Sequence, residues 1–176
     1  MQKLSLGAFV ALAFLAGCSN TGIFEDVQET RSFCPGLELV EGAQRIVEYK
    51  GSGRDLTDVS HLVVILDAQF SCLADDDEVS GDVQIQFEAR RGPANDGVGA
   101  PFRYFVAVAD SQRRILARQS FDVLVPFEGN RGRFVFNETI EPEIPLANEG
   151  DGAGYRIFIG LEVTREQYQE NLSDIR

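Results

Sequence analysis

The sequence predicts an all-β domain closed by a short C-terminal helix, and three observations carry that expectation. Val83-Gln84-Ile85-Gln86-Phe87-Glu88-Ala89 alternates apolar and polar residues without a miss, the period of a strand with one face buried and the other in water. Six further runs rich in β-branched and aromatic residues lie at 45–50, 60–72, 102–109, 115–126, 133–140 and 155–163. Turn signals separate them, among them Gly51-Ser52-Gly53, the glycine-rich stretch 91–101 and Asp110-Ser111, and no helical period appears until Thr164.

The chain opens on Lys3 and then fourteen uncharged residues, 4–17, short of the roughly 20 apolar residues that a membrane-spanning helix needs. That is the form of a secretory signal peptide. Its last four residues, Leu15-Ala16-Gly17-Cys18, resemble the lipobox of bacterial lipoproteins. The resemblance implies cleavage after residue 17 and acylation of Cys18, which would become the first residue of the mature chain. Several acyl chains on one cysteine make attachment effectively permanent, because each buried methylene contributes about 0.8 kcal/mol. Ser19 stands where an aspartate would favour retention, so the same resemblance implies the outer membrane in preference to the inner, with the domain facing the periplasm. Residues 18–33 are polar and aperiodic. They read as a tether that holds the domain about 20 Å from the membrane.

From Cys34 to Val163 the seven strands form one domain. A Ser/Thr-x-x-Glu/Gln capping box at Thr164 and Gln167, followed by Tyr168 and Leu172 one helical turn apart, predicts a short helix in 164–176 that docks through those two apolar side chains. Seven short strands with turns at this spacing suggest a two-sheet antiparallel sandwich of the immunoglobulin or fibronectin type III kind, with a closed small barrel as the alternative. No tryptophan is present, so Phe, Val, Ile and Leu must build the core. In the run that ends at Cys72, unbroken alternation puts Leu62, Val64, Leu66, Ala68, Phe70 and Cys72 on the core face and leaves His61, Asp67 and Gln69 towards solvent.

With Cys18 assigned to lipid, Cys34 and Cys72 remain. In an oxidising compartment they form a disulfide, or else they are two separate buried cysteines. The formal charge of −12 becomes −13 once Lys3 leaves with the signal segment. Phosphate binding needs clustered Lys and Arg, so nucleic acid is excluded as a partner.

The chemistry-bearing residues are few. His61 is the single histidine, and no G-x-S-x-G elbow accompanies it, so hydrolysis is the lesser reading and no catalytic residue is assigned. The acidic runs 75–78 and 148–151 offer oxygen ligands in loops, yet neither matches a calcium-loop pattern, and no metal or cofactor is assigned. Arg90-Arg91 and Arg113-Arg114 read as surface arginines with a capacity for carboxylates or wall polymer. Alternation in the last strand turns Phe158 outward beside Arg156, and Phe105 is outward in the same sense. Together the three make a candidate partner surface, with a second buried face under the C-terminal helix as the equal alternative for the two phenylalanines.

Cys34-Pro35, Tyr49, Asp55, Cys72, Gly160 and Thr164-x-x-Gln167 resemble a group of small bacterial envelope lipoproteins. That resemblance implies an envelope setting, supports the disulfide and names no reaction. The functional expectation is a lipid-anchored, non-enzymatic module that binds another envelope protein. The alternative is a domain for a small ligand, a cation or wall polymer, or a hydrolase that uses His61.

Overall fold

The computed structural model describes residues 33–174 other than 76, 98 and 149; the lipobox with Cys18 and the tether up to residue 32 lie outside the described residues. The described chain is a two-sheet β-sandwich with one short helix. Its strands are β1 (Gly36–Leu39), β2 (Arg45–Tyr49), β3 (Val59–Ala74), β4 (Glu78–Arg91), β5 (Ala100–Ala109), β6 (Ile115–Val125), β7 (Arg133–Ile140), β8 (Ile144–Pro145) and β9 (Arg156–Leu161), and the helix is α1 (Arg165–Asp174). Sheet A has the order β1-β9-β5-β6. Sheet B has the order β2-β3-β4-β7, with β8 added to β4.

The architecture is the expected one, with two strands beyond the seven anticipated. β1 and β8 are four and two residues long. Neither is long enough to display a period, and each exists through its pairing: β1 runs parallel to β9, and β8 lies against the start of β4. The connectivity is the fold's own. β2, β3 and β4 follow one another within a single sheet, whereas the immunoglobulin order ABED and CFG sends consecutive strands B and C to opposite sheets.

Between the sheets, Val63, Ile65, Val83, Ile85, Phe87 and Ala89 meet Phe102, Tyr104, Val106, Ile157, Ile159 and Leu161. Phe87 is the hub, with its ring 5.3 Å from that of Phe102, 5.1 Å from that of Tyr104 and 5.5 Å from that of Phe136. Such aromatic clusters stabilise by area and by ring geometry, which is how the core does without tryptophan.

The alternation expected in β3 does not hold throughout. Ile65 pairs with Phe87 and Asp67 with Gln86, which leaves Leu66 as a bulge without a partner. One extra residue exchanges the faces of everything that precedes it. Val63 and Ile65 therefore enter the core with His61, and Leu66 is 44% exposed. Beyond the bulge, Ala68, Phe70 and Cys72 pack against the core as anticipated. Cys72 stands at disulfide distance from Cys34, with Cα atoms 6.1 Å apart, which places the segment before β1 against the β3–β4 hairpin. Opposite Cys72, Gly81 has φ 147° and approaches so closely that a Cβ there would lie 2.1 Å from the Ser71 carbonyl oxygen. Only glycine fits that position.

The helix begins as the sequence dictates. Gln167 N–H donates to Thr164 Oγ1 at 3.2 Å, and Thr164 N–H donates to Gln167 Oε1 at 2.9 Å, a reciprocal capping box. It docks beside β2, the edge of sheet B. Tyr168 and Leu172 lie over Gly42, where a Cβ would fall 2.8 Å from the Tyr168 ring. Gln167 and Asn171 add contacts that the apolar pattern did not announce. Gln167 Nε2 reaches the Val47 carbonyl at 3.4 Å and Glu48 Oε1 at 2.9 Å, while Asn171 Nδ2 donates to the carbonyls of Arg45 at 2.7 Å and Gly42 at 2.9 Å. The Arg45 and Val47 carbonyls lie on the edge of the sheet that no strand covers, so the helix satisfies them with side chains.

Candidate functional site

The outer face of sheet A carries the site. In β5 and β9 the register sets Phe105 opposite Gly160 and Ala107 opposite Phe158, so the two phenylalanines are diagonal neighbours on the side away from the core. Gly160 makes this packing possible: a Cβ there would meet the Phe105 ring at 2.9 Å and Ala43 Cβ at 3.0 Å. Around this floor stand two walls. One is built from the end of β1 and its connector, Glu38 to Glu41, and from Tyr168 of α1; the other is the β5–β6 hairpin with Arg113, Ile115 and Arg118. They enclose a cleft of about 650 Å³ with an apolar floor, carboxylates on one side and guanidiniums on the other.

Each charged wall residue has a physical reason for its place. The Arg118 guanidinium lies 4.3 Å from the centroid of the Phe105 ring and donates to Glu162 Oε1 at 2.9 Å. Stacking on the ring and pairing with the carboxylate hold one side chain in one pose. Glu162 also accepts from Ser120 Oγ at 2.7 Å. Partial burial pushes the Glu162 carboxyl up, but Ser120, Arg118 and Arg103 together hold it below the usual carboxylate range. At the hairpin tip Asp110 Oδ1 accepts the backbone N–H groups of Gln112 and Arg114, and Arg113 adopts φ 61°, which turns the tip over the cleft.

The structure brings Phe105 and Phe158 together but not Arg156. Arg156 is on the same sheet face one pair further along, opposite Ala109. Its guanidinium donates to the carbonyls of Ala153 at 3.1 Å and Tyr155 at 2.9 Å and lies 3.4 Å from Glu38, so it secures the start of β9. Ile115, Arg118 and the 38–41 wall escape sequence reasoning because tertiary folding alone places them beside the two phenylalanines, whereas Tyr168 comes from the helix that the alternative reading set over that face. A second opening of about 320 Å³ lies between the sheets, lined by Val106, Val108, Phe121, Ile140 and Pro142 where β6 parts from β7.

His61 is not the solvent-facing residue that alternation implies. The bulge at Leu66 turns it inward, where it is 4% exposed. Its Nε2 is 3.0 Å from the Pro101 carbonyl oxygen on β5, and its Nδ1 is 3.3 Å from Ser60 Oγ. With Nε2–H donating and Nδ1 accepting, the neutral ring ties β3 to β5, one sheet to the other. Burial holds its pKa below the ordinary 6.5 despite the Pro101 carbonyl and the more distant Glu48.

Glu88, expected in water by the alternation of β4, is 1% exposed. It is roofed by Arg90 and Arg133, both ion-paired to it, with Arg133 Nε 2.6 Å from Oε2. The hydrogen bond from Arg133, reinforced by Arg90, keeps its carboxyl below the usual range. Between β4 and β5 the side chain of Asn95 accepts from Gly97 N and donates to the Gly99 carbonyl, closing the turn that leads into β5. Among the described residues no group of three or more His, Cys, Asp or Glu side chains is placed to hold a metal ion. No protein-family model and no curated protein matches the chain.

Proposed function

We propose that the chain is a lipid-anchored protein of the bacterial cell envelope, attached through Cys18, facing the periplasm from the outer membrane in preference to the inner, and that it binds another envelope protein without catalysing a reaction. The observation that carries the binding role is the cleft on sheet A. Phe105 and Phe158 lie on the side of the sheet turned away from the core, walled by separate carboxylate and guanidinium groups. An apolar floor inside a charged rim is the composition of a protein-recognition site. The anchor rests on Leu15-Ala16-Gly17-Cys18 and on the polar tether after it. The export route is supported by Cys34 and Cys72 standing at disulfide distance. Against a hydrolase speaks the engagement of both His61 nitrogens, Nε2 by the Pro101 carbonyl of the other sheet and Nδ1 by the neighbouring Ser60 hydroxyl.

The test is affinity capture of the tagged chain after crosslinking in cells, with Phe158→Glu and Cys18→Ala beside the wild type. One stoichiometric protein should accompany the wild type and disappear with both variants. Capture unaffected by Phe158→Glu would remove the cleft from the account, and a wild type without any companion would shift the role to the small-ligand alternative in the opening between the sheets.

A further inference from the structure

Each sheet has two edge strands, β1 and β6 on sheet A and β2 and β7 on sheet B; β7, eight residues long, pairs only with β4, and β6 is the longest of the four. On sheet B the edge strand β2 is sealed by Gln167 and Asn171. On sheet A the edge strand β6 pairs only with β5. It runs for eleven residues, Ile115–Val125, without proline, glycine or lysine; Leu116 is a bulge against β5, the strand is regular from Ala117 to Val125, and Ile115, Leu116 and Leu124 are 56%, 53% and 60% exposed. An edge of that length and composition is a template for another strand.

We propose that a second copy of this chain supplies it, β6 against β6 in antiparallel register about a two-fold axis at Ser120. The register follows from the side chains. Residues directly opposite each other share a face, so the axis must pass through a residue and not between two. At Arg118 or Asp122 it would set like charges against themselves. At Gln119 it would set Arg118 against Ser120, and at Phe121 it would set Arg118 against Leu124, leaving the charge unmatched in either case. At Ser120 Arg118 opposes Asp122 of the second copy in both directions, Ala117 opposes Val123 and Gln119 opposes Phe121, while the bulge at Leu116 ends the regular pairing before Ile115.

The existing ion pairs extend this match. Arg103 binds Asp122 at 2.8 Å and Arg118 binds Glu162 at 2.9 Å. The pairing therefore joins Arg103, Asp122, Arg118 and Glu162 into a chain of alternating charge across the axis. Doubling the four strands of sheet A yields a continuous sheet whose outer face presents both copies of the cleft side by side. A homodimer is thus independent of the protein partner proposed above, and either can hold without the other.

The test measures the mass of the full-length chain in detergent by light scattering that resolves protein from detergent, with three variants. Asp122→Arg sets arginine against Arg118 of the second copy, Arg118→Asp sets two aspartates together, and the double exchange restores opposite charges in reverse. The native chain should be a dimer, each single reversal should weaken it about tenfold, and the double exchange should recover it. Thermal melts identify any variant that fails to fold. Oxidation of Ser120→Cys in membranes, beside Thr139→Cys on β7, reads the same register without a charge change and should give a covalent dimer at 120 only. A native chain that stays monomeric up to about 100 μM, or a dimer indifferent to both reversals and crosslinked equally at 139, overturns the proposal.

Discussion

The outer faces of the two sheets obey the same alternation rule and end in opposite conditions. On sheet B the outward polar groups close on one another: Gln86 donates to Asn137 at 3.2 Å, Gln69 donates to Asp67 at 2.9 Å, and Glu88 disappears beneath Arg90 and Arg133. On sheet A the outward residues include Phe105, Ala107 and Phe158, and the connector after β1, the helix and the β5–β6 hairpin rise around them as walls. Alternation assigns a residue to a side of a sheet. Whether that side meets water, an ion pair or a cleft is decided by what the rest of the chain lays over it.

The largest effect should come from the floor of the cleft. Gly160→Val would drive a side chain into the Phe105 ring and Ala43, and overpacking of this kind costs about 3 kcal/mol. A thermal melt should fall by roughly 10 °C, and an unchanged midpoint would show that the sheet A face yields where the account has it tightly packed.

The tie between the two sheets comes next. His61→Gln should cost about 2 kcal/mol at pH 7, since two partners of a buried ring are disturbed. Its pH dependence is the sharper readout. Because burial depresses the folded pKa below 6.5, the unfolded chain takes the proton first. The contribution of His61 is full above that value and declines as pH falls through it. Denaturant titrations between pH 7 and 5 should show the wild type losing stability over a window in which His61→Gln loses none.

Sheet B should respond less. Glu88→Gln leaves two arginines without their carboxylate and should cost about 1 kcal/mol at neutral pH. The folded pKa of Glu88 lies below 4.5, so its contribution is present above that value and lost as pH falls beneath it. Wild type and variant should therefore converge in acid, in a window distinct from that of His61. The smallest effect belongs to Gln84→Ala on the same face, within about 0.5 kcal/mol of wild type. A larger change there would make the contrast between the faces untenable.

Much of this was legible in the chain because strand alternation is a local signal. The long strands appear where the apolar runs lie, and both bonds of the capping box join the two residues that the motif names. Tertiary events stayed hidden. β1 and β8 exist only through their partners, and the bulge at Leu66 is a backbone irregularity that no side chain announces, yet it decides that His61 is buried. For the candidate site, the outward sense of Phe105 and Phe158 was readable, but their adjacency depends on the register of β5 against β9. Arg156 shares their face and was grouped with them, although its guanidinium is committed to the carbonyls that precede β9. The walls come from segments far apart in sequence and had no local signature.

The most direct measurement of the central claim places a photo-crosslinking phenylalanine at position 158 on sheet A and, in a separate strain, at position 84 on sheet B, in the chain as it sits in intact cells. The account predicts one discrete protein adduct at 158, none at 84, and loss of the adduct when Cys18→Ala releases the chain. Adducts of equal yield at both positions, or at 84 alone, would contradict the assignment of the interaction face to sheet A.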